Sequence, residues 1–151
     1  LDRILKALGM ARGSDAWITN IVKCRPPQNR TPTESERGFC AKHWLIPELL
    51  LLEPKVVICL GLTSGQFLLN QPDARMADLH GKTVTTTISD GAGNTKSIMV
   101  GVTYHPAYIV YNGESPRVKQ LIWQDLISIL RAAGLRESGN AGVRLAYPSK
   151  R

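Results

Sequence analysis

Two segments of the chain place polar side chains where they could bind a small planar ligand. Asn20 lies in an apolar run, Trp17 to Val22, which ends in a proline-rich loop. His105 lies in a second apolar run that is also closed by proline. The Asn20 amide has both a donor and an acceptor, which suits reading the edge of a base or a similar heterocycle. The alternative for Asn20 is that it only caps the end of a strand.

The three cysteines could ligate a metal or lie buried as free thiols. An odd number argues against a complete disulfide framework. Cys24 follows Asn20 in the proline-rich loop, and Cys40 comes 16 residues later, with 15 residues between them. Cys59 lies inside an apolar strand, so we expect a buried hydrophobic residue. His43 is expected to be an exposed helix residue, although a zinc site with His43 as fourth ligand stays open.

The apolar pattern alternates between helix and strand periods, which predicts an α/β fold. We expect a three-layer α/β/α sandwich with a mainly parallel central sheet. Residues 71–81 are expected to be irregular surface. The predicted elements are a helix over 1–8, a buried strand over 16–22, a helix over 33–52, a strand over 56–60, a short helix to about residue 70, a hairpin of 83–89 with 96–102, and a helix over 117–133.

The helix over 33–52 has a clear start and one interruption. Thr33 and Glu36 form a capping-box pattern, and Pro47 should kink the helix because it removes a backbone hydrogen bond. Its apolar residues are expected in the core: Phe39, Trp44, Leu45, Leu49 and Leu52.

Composition and charge indicate a soluble, intracellular protein that binds a polyanion. The 151 residues carry 19 Lys and Arg against 12 Asp and Glu, a net charge of +7, and 43% of them are apolar. Such an excess attracts nucleic acid, and no apolar run is long enough for a membrane span. We expect one domain over 1–133 and a basic, flexible tail over 134–151.

Taken in order, the motifs resemble one family. They are Thr19-Asn-Ile-Val-Lys-Cys24-Arg-Pro-Pro-Gln-Asn-Arg-Thr-Pro32, the second cysteine at 40, Pro54-Lys-Val-Val57 and Thr103-Tyr-His-Pro-Ala-Tyr108. Over about residues 1–133 they resemble the iron–sulfur uracil-DNA glycosylases, family 4 of that superfamily. His-Pro alone would be a weak signal, whereas the proline-rich string followed by a cysteine at this distance is specific.

The resemblance implies an enzyme that removes uracil from DNA by flipping the base and hydrolysing its N-glycosidic bond. Asn20 would read uracil, and His105 would donate toward uracil O2 as negative charge accumulates there. Tyr108 to Tyr111 would form an apolar wedge, and Arg117 and Lys119 would contact phosphates. The alternatives for these last residues are core aromatics and a solvated helix face. The resemblance further implies a monomer in the bacterial or archaeal cytoplasm, associated with the nucleoid and acting on single- or double-stranded DNA.

The resemblance also implies a [4Fe–4S] cluster, of which Cys24 and Cys40 match two of four ligands. The family's other two cysteines, its water-positioning Gly-Glu-x-Pro-Gly loop and its uracil-stacking Phe precede the segment that matches Leu1, and none of them is in this sequence. We therefore expect an N-terminally incomplete glycosylase that holds no intact cluster by itself. One alternative is a non-catalytic nucleic-acid-binding remnant of the fold. Another, an unrelated nucleotide binder, is disfavoured because no glycine-rich phosphate loop follows either strand.

Overall fold

Seven α-helices and three strands follow one another in residues 1–135, the part of the chain that the computed structural model describes. None of these helices is long and apolar enough to cross a membrane. The expected tail lies outside the described residues from residue 136 onward. The elements are α1 (Asp2–Ala7), α2 (Glu34–Cys40), α3 (Ile46–Leu52), β1 (Val57–Leu60), α4 (Leu62–Leu69), α5 (Met76–Leu79), β2 (Thr83–Ser89), β3 (Thr95–Thr103), α6 (Ala107–Tyr111) and α7 (Pro116–Ala132).

The sheet is mixed, with β3 at its centre. Strand β1 pairs with β3 in parallel, so that Val57 lies opposite Val100. Strand β2 pairs with the other edge of β3 in antiparallel register, which confirms the expected hairpin. Residues 1–135 therefore contain one parallel and one antiparallel pairing, and a mainly parallel sheet is not observed in them.

The expected strand over 16–22 is wrong. Only Ala16 forms an isolated bridge, to Arg12, and Trp17 is 66% exposed. A strand requires a neighbour that completes its backbone hydrogen bonds, and β1 pairs only with β3 in the described residues. This segment and β1 both line one cavity.

The helix over 33–52 is present, but it widens where a kink was expected. Residues 41–45 form a π-helical turn between α2 and α3, in which the Ile46 N–H donates to the Ala41 carbonyl. This wider turn comes just before Pro47. Proline has no backbone N–H to donate and its ring crowds the preceding turn, so a wider turn at this point suits it. Among the expected core residues, Leu45 and Leu49 are buried, whereas Phe39 (64% exposed), Trp44 (60%) and Leu52 (37%) are not.

Two further segments are more helical than expected. Residues 71–81, predicted as irregular surface, contain α5, and the loop that carries His105 runs into α6. Both helices are shorter than the 10–12 residues at which periodicity separates helix from loop, so the apolar pattern could not indicate them.

The core consists of two apolar clusters, and β3 contributes mainly to the first. This cluster includes Ile98, Val100 and Val102, together with residues from α3, α4 and α5. The second joins α1, α6 and α7. Gly101, on the other face of β3, lies against Ile129 of α7, because an added Cβ would be 2.5 Å from Ile129 Cγ2.

Replacing Gly101 by alanine should destabilise the protein by about 1–3 kcal/mol. The new methyl group would collide with Ile129, which is fully buried and cannot move aside. Gly38→Ala is the matched control. Its Cβ would meet nothing within 4 Å in α2, so it should raise stability by about 0.5–1 kcal/mol. Urea unfolding measures both, and a neutral Gly101→Ala would contradict this close packing.

Candidate active site

Asn20 and His105, the two residues expected to act on a base, line the same large cavity, whereas Cys40, Tyr108, Arg117 and Lys119 do not line it. Its volume is about 1070 Å³, and Asn20, Cys24 and His105 all line it. Strands β1 and β3 are parallel, so their carboxyl ends reach the same edge of the sheet, and Leu60 and Tyr104 from these ends also line the cavity. Open α/β sheets bind ligands at this edge.

Side-chain contacts, and not a strand ladder, hold the segment that carries Asn20. The Thr19 hydroxyl donates to Glu48 Oε2 of α3 at 2.9 Å, and Lys23 Nζ lies 2.7 Å from the same oxygen. Burial opposes ionisation of Glu48, but its hydrogen bonds from Lys23 and Thr19 outweigh this effect and lower the pKa of Glu48. Asn20 is thus anchored on both sides, while no described residue occupies its amide by a hydrogen bond.

His105 is held with one ring nitrogen committed to the backbone. The Ala107 N–H donates to His105 Nδ1 at 3.1 Å. A nitrogen that accepts a hydrogen bond carries no proton, so the neutral ring is protonated at Nε2. Gly61, which follows β1, adopts φ +102°, which other residues rarely adopt, and a Cβ there would be in van der Waals contact with His105 Cβ at 3.4 Å. The exposed His105 therefore offers an N–H donor.

The tyrosines around His105 form a stack. Tyr104 lies on Tyr108 with ring centroids 4.8 Å apart and planes 24° apart. Burial raises the pKa of Tyr104, and the charges of Tyr108 and Asp125 raise it further. Beyond this stack, Val110 and Tyr111 of α6 are exposed and so available to touch a partner.

The two expected phosphate contacts differ in their surroundings. Arg117 is exposed in the first turn of α7. Lys119 Nζ lies 3.1 Å from Glu114 Oε2, and only 14% of its side chain is exposed. Arg117 is therefore better placed to meet a phosphate.

The cysteines supply two accessible thiols and one buried thiol. Cys24 is exposed, Cys40 is half-buried at the end of α2, and Cys59 is buried in β1. Burial raises the pKa of the Cys59 thiol to about 12, which opposes the thiolate that a metal requires. No group of three or more metal-ligating side chains occurs within residues 1–135, for a cluster or for zinc with His43. These residues alone therefore do not fit a four-thiolate cluster.

The loop between the accessible cysteines is tied to α2 by the expected capping box. Thr33 accepts from the Glu36 N–H, and Glu36 accepts from the Thr33 N–H at 2.8 Å. Arg30 adds two contacts to the Glu36 carboxylate, at 2.6 and 2.8 Å. The hydrogen bonds from Arg30 and Thr33 lower the pKa of Glu36 to about 2. This cap fixes how the loop after Cys24 enters the helix that ends at Cys40.

One cluster beside this site was missed from the sequence. Asp125 of α7 is 5% exposed and accepts from Thr103 Oγ1 at 2.8 Å. His80 Nδ1 lies 3.1 Å from Asp125 Oδ1. The sequence signal that could have indicated this cluster is the acidic residue Asp125 on the apolar face of the helix, between Ile122 and Ile129. His80 had no signal of its own.

Comparison with known proteins identifies the family of this chain. The family model of the uracil DNA glycosylase superfamily matches residues 1–127. A type-4 uracil-DNA glycosylase of Thermotoga maritima is 32% identical over 126 residues, 83% of this chain and 60% of the relative. Type-4 uracil-DNA glycosylases of Archaeoglobus fulgidus (32% over 144 residues, 91% and 65%) and Pyrobaculum aerophilum (37% over 113 residues, 73% and 54%) are also similar. This chain thus matches between 54% and 65% of the length of these relatives. With the family model matched over most of its length, the chain belongs to the uracil DNA glycosylase superfamily.

Proposed function

We propose that this protein is a uracil-DNA glycosylase, which hydrolyses the bond between uracil and deoxyribose during base excision repair. The observation that carries this proposal is the hydrogen bond from the Ala107 N–H to His105 Nδ1. It leaves a neutral N–H donor at the wall of a cavity that Asn20 also lines. The names of the similar proteins support uracil in DNA as the substrate.

His105 would stabilise the leaving group. Breaking the bond between C1′ and N1 leaves positive charge on the sugar, while the electron pair stays with uracil and spreads to O2. Water then adds hydroxide to C1′ and releases a proton. A fixed N–H donor aimed at O2 gains strength as the negative charge develops, so it favours the transition state over the bound substrate. Because Nδ1 is held by the backbone, the ring need not reorient during the reaction.

Asn20 would read the base. Uracil presents an N3–H donor between two carbonyl acceptors. The Asn20 carbonyl can accept from N3–H while its amide donates to O4. The anchors on Glu48 place this amide before the base arrives, which lowers the entropic cost of binding.

Exposed residues beside the cavity would contact the DNA. A flipped base leaves a gap in the stack, and the apolar and aromatic side chains of α6 could fill it. Tyr108, Val110 and Tyr111 are all exposed, and Tyr108 is also held by its stack on Tyr104. Arg117, one helix further along, would contact a phosphate, and Lys119 would do so after giving up Glu114.

The cavity supports a fuller α/β/α sandwich for the complete fold. Strand β1 and the segment Trp17–Val22 both line it, and that segment has a β-branched and aromatic sequence but no strand partner within residues 1–135. A further strand between them would occupy the part of the cavity that lies along β1 and would pair with Trp17–Val22, which leaves the part beside His105 for a base. The sheet would then be mainly parallel.

Cys24 and Cys40 are proposed as two of four ligands of a [4Fe–4S] cluster in the complete protein. Residues 1–151 contain one other cysteine, Cys59, which is buried in β1. The remaining ligands would therefore come from outside these residues.

These 151 residues alone should not hold an intact [4Fe–4S] cluster. Such a cluster is held by four thiolates, and this chain has two accessible ones. Iron, sulfide and visible absorption are measured after anaerobic reconstitution. Cys24→Ser and Cys40→Ser should each bind less iron per chain than wild type does. About four irons per chain with iron–sulfur absorption would contradict the expectation.

The proposed function is tested by uracil excision with the protein isolated from its own cells. The substrate is a single-stranded oligonucleotide with one uracil, and the matched control has cytosine in its place. We expect strand breaks after alkali treatment for uracil alone. The intact mass of the active protein is compared with the 16.6 kDa of these residues. No excision, together with retained DNA binding, would instead favour a non-catalytic nucleic-acid-binding protein.

A further inference from the structure

We propose that Asp125 and His80 are positioning residues that hold His105 in its donor geometry. The inference rests on the proposed role of His105. Neither residue lines the cavity, so both would act through Thr103 and Tyr104, the two residues that precede His105.

Asp125 fixes the end of β3. Its carboxylate accepts from Thr103 Oγ1 at 2.8 Å, and Thr103 is fully buried. The Thr103 carbonyl in turn accepts from the Gly61 N–H at 2.8 Å, which joins the ends of β3 and β1. Burying a carboxylate is costly unless its oxygens are hydrogen-bonded, and here both oxygens have partners. The position of Thr103, two residues before His105, is thus set from α7.

His80 links Asp125 to the two tyrosines near His105, Tyr104 and Tyr108. A carboxylate only accepts, so His80 Nδ1 donates to Asp125. The His80 ring lies 5.3 Å from the Tyr104 ring, which stacks on Tyr108. The Tyr108 N–H donates to the His105 carbonyl at 2.8 Å. His105 is therefore held through both flanking tyrosines.

The backbone around His80 is shaped to allow this arrangement. The Gly81 N–H donates to the Val102 carbonyl at 2.8 Å. An added Cβ on Gly81, at φ +71°, would lie 2.7 Å from Asp125 Oδ1. Only glycine lets this segment approach the carboxylate so closely at that φ, so the contact between His80 and Asp125 is supported by the chain itself.

Thr103 provides the test with matched variants. Thr103→Val keeps the shape but loses the donor to Asp125, whereas Thr103→Ser keeps the hydroxyl. A misplacement of about 1 Å can cost about a hundredfold in rate, so Thr103→Val should lower kcat roughly tenfold to a hundredfold with little change in KM. Thr103→Ser should stay near wild type. Ile98→Val, in the core cluster on the opposite face of β3, is the control for lost stability and should keep its kcat.

A second measurement does not depend on uracil excision. The ¹⁵N chemical shifts of the His105 ring should indicate a proton at Nε2 in wild type and a mixture of tautomers in Thr103→Val. If Thr103→Val does not fold, Asp125→Asn replaces it, because an amide has one acceptor oxygen for two donors.

Three results would overturn the inference. They are equal kcat values for Thr103→Val and Ile98→Val, equal losses for Thr103→Val and Thr103→Ser, and His105 shifts in Thr103→Val that match wild type. A wild-type protein that excises no uracil would refute the proposed function, and the His105 shifts would then decide the positioning role alone.

Discussion

Replacement of His105 by alanine is expected to slow uracil release by about a hundredfold to a thousandfold, the usual cost of one preorganised donor to a developing anion. The loss should fall on kcat, because the donor strengthens only as charge reaches uracil O2. The affinity for uracil-containing DNA should change little. Single-turnover excision and DNA binding by fluorescence anisotropy measure the two effects separately.

The leaving group supplies the control for this expectation. 5-Fluorouracil stabilises its own anion better than uracil does, so its release depends less on a protein donor. The loss caused by His105→Ala should therefore be clearly smaller on DNA with 5-fluorouracil. An equal loss on both substrates would mean that His105 does not act on the leaving group. His105 is exposed, so the free energy of unfolding should stay near wild type.

The elements with a pattern of their own could be predicted from the sequence. The hairpin of β2 and β3 follows from two alternating segments on either side of a glycine-rich turn. The start of α2 follows from its capping box, which depends only on Thr33 and Glu36. In each case the interactions that decide the structure lie within the segment itself, or between segments close together in the chain.

The segment 16–22 could not be predicted in this way, because strand formation depends on a neighbour. Its residues favour a strand, yet the described residues contain no strand that pairs with it. The prediction that Phe39 and Trp44 lie in the core was wrong for a similar reason. Helical periodicity identifies the apolar face of a helix but not whether another element covers it. Both side chains are more than half exposed.

The site shows the same division between local and distant information. Asn20, Cys24 and His105 were identified because each lies in a string of residues with a recognisable order. The contacts that position them come from elsewhere in the chain. Glu48 holds the segment with Asn20 from 25 to 29 residues away, and Asp125 reaches Thr103 across 22 residues. A single sequence does not reveal such pairs.

Replacement of Asn20 by alanine is expected to lower kcat/KM for uracil-containing DNA by about 5- to 150-fold, since a bidentate contact to a base is worth about 1–3 kcal/mol. Asn20→Asp should be worse than alanine on uracil. Its carboxylate cannot donate to O4, and it repels the negative charge that leaves with the base. Steady-state excision at several DNA concentrations gives both kcat and KM.

DNA with an abasic-site analogue separates base reading from backbone binding. This DNA has no base for Asn20 to read, so Asn20→Ala should bind it as wild type does. Arg117→Ala, which removes a proposed phosphate contact, should weaken this binding and reduce its dependence on salt. If Asn20→Ala instead lost affinity for abasic DNA as strongly as it lost activity on uracil, Asn20 would be holding the loop or the backbone. We expect Asn20→Ala to bind abasic DNA as wild type does. No described residue binds the exposed Asn20 amide, and Thr19 and Lys23 still anchor the loop when that amide is removed.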